Sequence, residues 1–517
     1  MSSPFLDDRR RAHHFLNRFS LGPTPSLLKE VTEIGPEKWL DKQLEGRALP
    51  DRRLTRKLVK LGSYALTNRE VMDEYVLPTP DNLSQEERRR RQRLRNVPAI
   101  ELRDTVLLQA VYGEDQVKEV ACDFFRNHFA VATDVGRVRY YATEYEREVI
   151  RNRVFGSFGD MLSASAKHPA MLDYLDNAVS RRPPTKAELK QVELRVRQQT
   201  RSKEQAEQAS DIAAQRGLNE NYARELLELH TLGVDNYYTQ ADVESVARIL
   251  TGWTIENDGA KPLGFRFSDS MHAGGNKKVL RKTIKENSKQ PLAEGEELLD
   301  MLVKHKGTSE FIAWKLCRHL VNDSPDEKMV ARVAMVFRKS KGDLRKVYLA
   351  IATDEEFYAP RNIRAKFKRP FEFVVSALRA TDAEIDDCSR IHTALGAMNE
   401  QLYLCKDPTG YYDQAEAWLD PGAFAVRWKF SRDLLQGKID GVKVSPAIYD
   451  ELNDSEPATW NGLLLERFLP SGAAGETRAA LGKTLREYIE LGYNSHVEEL
   501  APALISIILG SPDFQKQ

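Results

Sequence analysis

Cysteine is scarce: Cys122, Cys317, Cys388 and Cys405 are the only four in 517 residues. They lie far apart with no Cys-x-x-Cys pair, which excludes a disulfide framework and a zinc ribbon and leaves free thiols in a reducing compartment as the expectation. Long apolar runs are missing too. No stretch approaches the roughly 18 residues that a membrane span needs. The first residues carry charges with no apolar segment after them, so no secretory signal is read. The expectation is a soluble, cytoplasmic protein. Net charge is zero, with Lys+Arg and Asp+Glu at 77 each, which argues against a general nucleic-acid coat. No Gly-x-Ser-x-Gly elbow, Walker loop or strand-borne Gly-x-Gly-x-x-Gly occurs, so the standard α/β-hydrolase, nucleotide-hydrolase and dinucleotide readings have no support.

What the chain does have is helical periodicity. Leu102, Val106, Leu107, Ala110 and Val111 recur at helical spacing, and Val117, Val120, Ala121, Phe124, Phe125 and His128 repeat the pattern after a short connection at Tyr112-Gly113-Glu114-Asp115. Thr239-Gln240-Ala241-Asp242 reads as a capping box, and Thr308-Ser309-Glu310 as another helix start. Strand signals are few. Phe265-Arg266-Phe267 and Lys278-Val279-Leu280, with Gly274-Gly275-Asn276 between them, predict one β-hairpin at about 264–282. The expected fold is mainly α: a multi-helix globular bundle with a small β-hairpin. Residues 1–360 would form the main helical domain and 361–517 a C-terminal helical subdomain.

Two segments stand apart. Ser84–Arg95 holds six arginines and no aromatic side chain to stack on a base, so it reads as a charged surface segment. Residues 180–216 are rich in Lys, Arg, Glu and Gln, and read as a charged insertion, either a solvated helical excursion or a disordered loop. A weak echo links 347–357 with 504–514: each is an apolar helix, then an acidic turn, then a phenylalanine.

The densest group of proton-moving side chains is Asn219–Gly233. Asn219 suits an N-cap, and Glu220 in the first turn suits the helix dipole. At helical pitch Asn221, Glu225 and Glu228 share one stripe with Arg224 beside it, while Tyr222, Ala223, Leu226 and Leu229 face the other way and His230 sits at the apolar edge. The plain alternative is an amphipathic helix with Glu220–Arg224 and Arg224–Glu228 pairs, each worth about 0.2–0.5 kcal/mol. The functional alternative places the stripe in a cleft, where Glu225 and Glu228 divide acid and base roles or share a divalent metal. Their Glu-x-x-Glu spacing cannot complete a metal site alone, and His128 is the leading extra group.

Other candidates are scattered. His168 precedes Pro169 and reads as a helix end whose imidazole bonds free carbonyls. Asp176 and Asn177 follow in a turn-like setting and could add oxygen ligands. His272, in a Gly-rich loop with Lys277 nearby, would suit an anionic group. Arg147 and Arg151 are read as solvated.

Several of these segments also resemble, in order, the bacterial family catalogued as domain of unknown function 1800. They are His14-Phe15-Leu16-Asn17-Arg18 with Leu21-Gly22-Pro23, Trp39–Leu44, Asn127-His128-Phe129, His168–Leu172 with Leu175-Asp176-Asn177, and the Asn219–Gly233 helix. Trp253, His272, Lys368-Arg369-Pro370-Phe371-Glu372-Phe373 and Ser511-Pro512-Asp513-Phe514 extend the resemblance over nearly the whole chain. It implies a bacterial protein of a kind often exported and often encoded beside a second family related to sulfatases and phosphatases. That second family is the implied partner, and a carbohydrate-related molecule the implied substrate. Four features depart from the family pattern: there is no export signal, 180–216 is inserted, Ala273 follows His272 where an acidic residue is usual, and Tyr411 follows Gly410 where Trp is usual.

Together these observations point to an enzyme using a Glu/His cleft on a polar substrate of anionic or carbohydrate-related kind. Glu225, Glu228 and His128 would carry the chemistry. Asn221, Arg224, His168, Asp176, Asn177, His272 and Lys277 would bind substrate. The competing reading is a non-catalytic binding or assembly partner that uses the polar helix face as a docking surface.

Overall fold

Helix dominates the computed structural model, which describes residues 7–46, 51–77, 80, 82–214, 217–258, 261–491 and 497–517. Among the described residues there are 25 α-helices, and the β structure consists of three two-stranded antiparallel sheets. The mainly α expectation holds. No helix among the described residues is long and apolar enough to cross a membrane. One continuous apolar core runs from Ala12 to Phe514.

Local chemistry sets many of the helix starts. Thr239 and Asp242 form the expected capping box, each side chain bonding the other's backbone N–H. The Lys306–Leu320 helix starts two residues before the expected Thr308, because His305 Nδ1 accepts the Gly307 N–H at 3.0 Å and caps it. Thr308 instead donates to the Leu302 carbonyl. The Gln85–Tyr112 helix carries the arginine block on its first half, and only its second half, from Pro98 onward, is buried. Both parts of the internal echo end in a buried phenylalanine, Phe357 and Phe514.

The single hairpin expected at 264–282 is corrected to two. Phe265-Arg266-Phe267 lies on β2 (Lys261–Phe267), which pairs with β1 (Trp253–Asp258) and sets Phe265 opposite Ile255. Lys278 and Val279 lie on β3 (Lys277–Val279), which pairs with β4 (Lys282–Ile284). The alternation Trp253, Ile255, both buried, is the period-2 signal of β1. The turn from β3 to β4 is Leu280-Arg281, both at positive φ (50° and 65°). That backbone normally goes with Asn-Gly or Asp-Gly, so side-chain type gave no cue. β5 (Glu384–Ile385) and β6 (Val442–Lys443) form the third pair.

Of the two alternatives for the insertion, the helical one is found. Lys186–Thr200 and Lys203–Ala214 are helices, the first opened by a Thr185–Glu188 capping box. The first of them buries no residue. The base is closed by the Arg181 N–H, which bonds the Gly217 carbonyl at 3.2 Å.

Candidate functional site

The signature helix spans Asn221–Glu228, shorter than its sequence window. Asn219 lies one residue outside the capping position. Its Oδ1 accepts the Asn221 N–H at 2.9 Å, and its Nδ2 donates to the Asp176 carbonyl at 3.3 Å. After Glu228 the chain turns more widely: the His230 N–H reaches the Glu225 carbonyl, Leu232 reaches Leu227, and Gly233 takes φ +91°. Tyr222, Ala223, Leu226 and Leu227 are buried, and His230 joins them. Asn221 is exposed, whereas Arg224, Glu225 and Glu228 are half-buried. The polar stripe is therefore neither bathed in solvent nor fully enclosed.

Within electrostatic reach of it is the loop that carries Cys405-Lys406-Asp407, whose Asp407 acts on Glu225. Three contacts hold that loop. The Tyr174 hydroxyl donates to the Lys406 carbonyl at 2.8 Å, the Thr133 N–H donates to the Tyr403 carbonyl at 2.8 Å, and Asn127 exchanges two bonds of 2.7 Å with the Tyr411 backbone. Acidic groups converge here, and most have a partner. Asp134 pairs with Lys406 at 3.2 Å, Asp173 accepts the Arg137 N–H at 2.7 Å, and Glu228 pairs with Arg224 at 3.4 Å. The Tyr238 hydroxyl lies near Glu228 and accepts the Asp235 N–H at 3.1 Å. The Arg224 guanidinium is further engaged by Gln240 at 2.7 Å.

Glu225 is the exception. Among the described residues its carboxyl makes neither a hydrogen bond nor an ion pair. Burial, then the neighbouring Glu228 and Asp407, push it up to about 7, against an opposing pull from Arg224. A carboxyl so placed exchanges its proton near neutral pH, as a general acid or base must.

His128 is fully buried and does not reach the glutamates by any hydrogen bond or ion pair among the described residues. Its Nε2 lies 3.3 Å from the His230 carbonyl and its Nδ1 3.0 Å from Lys315 Nζ. The carbonyl can only accept, so Nε2 carries the proton and Nδ1 accepts from the amine. Burial, then Lys315, hold this imidazole well below its usual range. Lys315 is held at about 7, chiefly by burial and secondarily by Arg318. Sequence reading missed Lys315. Its signal was faint: Phe311, Lys315 and His319 share one face of the Lys306–Leu320 helix at four-residue spacing.

The remaining candidates fall into separate places. His168 does end a helix, but its Nδ1 accepts the Ala170 N–H at 3.1 Å and so caps the next helix. That corrects the expectation of bonds to free carbonyls, because Pro169 starts a new helix immediately. Asn177 is buried, with Nδ2 donating to the carbonyls of Leu250 and Trp253. Asp176 is exposed at φ 57°, beside Asn219. His272 and Lys277 do meet, with Nζ 3.3 Å from Nε2. The lysine, fully buried, donates at 2.5 Å to Glu294, a partner not anticipated from its neighbours in sequence. Among the described residues no three His, Cys, Asp or Glu side chains are grouped to hold a metal ion.

A family model described as "Protein of unknown function (DUF1800)" matches residues 14–516. The chain belongs to the DUF1800 family. No curated protein and no solved structure matches it.

The DUF1800 chain also buries an ionic network that sequence reading missed. Arg369, almost fully buried, pairs with Asp123 and with Glu400 at 2.6 Å. Asp123 also pairs with Arg126, which forks onto Glu146 through bonds of 3.1 and 2.8 Å. Arg151, expected to be solvated, meets Glu119 through bonds of 2.8 and 2.5 Å, and Arg147 donates to the Tyr64 carbonyl at 2.6 Å. The reason for that correction is local. Tyr145–Arg151 is wound as a π-helix, which rotates its side chains away from the positions that α-helical pitch predicts. In sequence the network shows only as charges set among aromatics, as in Phe367-Lys368-Arg369-Pro370-Phe371.

Proposed function

We propose that this DUF1800 protein is an enzyme of acid–base chemistry in which Glu225 moves the proton. The observation that carries this reading is a half-buried carboxyl that has no bonded cation among the described residues and feels Glu228 and, from another loop, Asp407. Like charges at close range keep one carboxyl protonated to higher pH, and a group titrating near the working pH transfers protons most effectively. Glu228 is the positioning and field-setting partner, itself oriented by Arg224. Asn221 and Arg224 line the exposed rim, where a substrate's polar groups would lie. His128 acts at a distance, by bonding the His230 carbonyl just after the helix.

The surrounding carboxylates favour an uncharged, hydroxyl-rich or cationic substrate over an anionic one. This narrows the substrate expectation toward carbohydrate-like molecules. The test is turnover of a panel of neutral glycosides, sugar esters and amino sugars by the wild type and by Glu225→Gln. The reading expects a reaction with an apparent pKa near 7 that falls by about 100-fold or more in the variant. A docking surface without chemistry predicts no turnover anywhere in the panel, and turnover unchanged by Glu225→Gln would remove Glu225 from the mechanism.

A further inference from the structure

Away from the glutamates, the Asp8–Phe19 helix and the C-terminal segment meet in a narrow cleft with a cavity of about 30 Å³. His13 and Asn17 of the Asp8–Phe19 helix line one side, with Gly22 and Pro23 from the turn that follows it. The floor is the C-terminal segment, which runs beside residues 366–368: the Lys366 and Lys368 N–H groups bond the Gln517 and Gln515 carbonyls at 3.2 and 2.8 Å. Lys368 projects into this cleft. It is 4% exposed, and its amine makes one hydrogen bond, to Ser376 Oγ at 3.2 Å, and lies 4.0 Å over the Phe514 ring.

The charge around Lys368 is one-sided. Arg364, Arg467 and Lys516 line the same cleft. Arg467 Nε is buried with no hydrogen-bond partner among the described residues. Among the described residues Asp513 is the single carboxylate of the lining, and its oxygens are already engaged: one by Arg364, the other by the Ala474 N–H at 2.9 Å and the Thr477 hydroxyl at 2.6 Å. Among the described residues Lys368 makes no ion pair. Burying a cation without a counter-charge is expensive, and such groups are normally paired. Burial holds the Lys368 amine down at about 7, and nearby Arg427, Arg364 and Arg18 press it further in that direction against Glu372. A bound anion would reverse the imbalance.

We propose that this cleft is a binding site for a small free oxyanion of the phosphate or sulfate type, held by Lys368, Arg467 and Lys516. The enclosed floor of about 30 Å³ is narrow, close to the volume of one water, so we take the ligand to be a small free ion seated over that floor against the three cations, and not the headgroup of a larger ester. Anionic oxygens on buried ammonium and guanidinium groups make the stronger, charge-assisted class of hydrogen bond.

The test is equilibrium dialysis of the full chain against radiolabelled orthophosphate at constant ionic strength, with sulfate and phenyl phosphate as competitors. The expected result is saturable binding with a dissociation constant below roughly 1 mM, displaced by sulfate and not by phenyl phosphate. Lys368→Met should weaken it at least about tenfold, the loss of one charge-assisted contact. Because Lys368 is buried and its variant could fail to fold, Arg467→Met and Lys516→Ala on the rim serve as second variants, each expected to weaken binding several-fold. No saturable uptake, rim variants that bind like the wild type, or equal displacement by phenyl phosphate would overturn the proposal.

Discussion

Lys315 Nζ lies 3.0 Å from Nδ1 of His128, and among the described residues that amine makes no ion pair. Two groups that are cations in water thus share one part-buried contact, which can hold at most one charge cheaply. Burial is the main reason both are shifted down, Lys315 to about 7 and His128 well below its usual range.

The first prediction concerns that amine. Trace acylation across pH, read by peptide mass spectrometry, should give Lys315 a reactivity midpoint near 7, whereas surface lysines follow the ordinary value of about 10.4. The stability sign follows from linkage. The folded state releases the Lys315 proton at lower pH than the unfolded state, so between about 7 and 10.4 the unfolded chain binds more protons and stability rises with pH. Lys315→Met should therefore gain more stability relative to wild type at pH 6 than at pH 10. An equal effect at both would contradict the assignment.

A second prediction tests the buried Lys277–Glu294 pair beneath His272. Glu294→Gln leaves a fully buried ammonium without its carboxylate and should cost about 3–5 kcal/mol in denaturant unfolding. Lys277→Met with Glu294→Met removes both charges, and should lie closer to the wild type than either single change. Additive losses would contradict a coupled pair.

Third, the insertion is expendable for folding. Its ends are joined by the Arg181–Gly217 backbone bond, and its first helix buries no residue. Replacing residues 183–216 by a short Gly-Ser linker should shift global stability by no more than about 1 kcal/mol. Loss of cooperative unfolding on excision would show that the helical pair supports the body.

The fold class was legible because helical burial repeats every three to four residues, and 102–128 showed this on both sides of one short connection. The face of the signature helix was legible for the same reason: Asn221, Glu225 and Glu228 do share its polar side. What surrounds that face was not. Tyr174 and Asp407 come from segments 51 residues before and 182 residues after Glu225, and no local pattern announces such a meeting. The two hairpins were misread because Leu280-Arg281 makes a turn that its side chains do not advertise. Arg151 was misread because π-winding breaks the periodicity on which face assignments rest. Lys277 was found without Glu294, since a buried counter-charge from a distant helix leaves no mark in the lysine's own neighbourhood.

The measurement that bears most directly on the proposed chemistry is the titration of Glu225 itself. Side-chain carboxyl resonances of protein labelled with ¹³C at glutamate Cδ, assigned by difference against Glu225→Gln, would follow it through pH 3–9. A midpoint near 7 is predicted, moving downward in Asp407→Asn and further downward in Glu228→Gln, since Glu228 is the larger of the two electrostatic influences. The sign has a consequence for stability. A carboxyl raised in the folded state binds more protons there than when unfolded between about 4.3 and 7, so its contribution weakens as pH rises through that window. A midpoint at the ordinary carboxylate value of about 4.3, unmoved by either neighbour, would contradict the account.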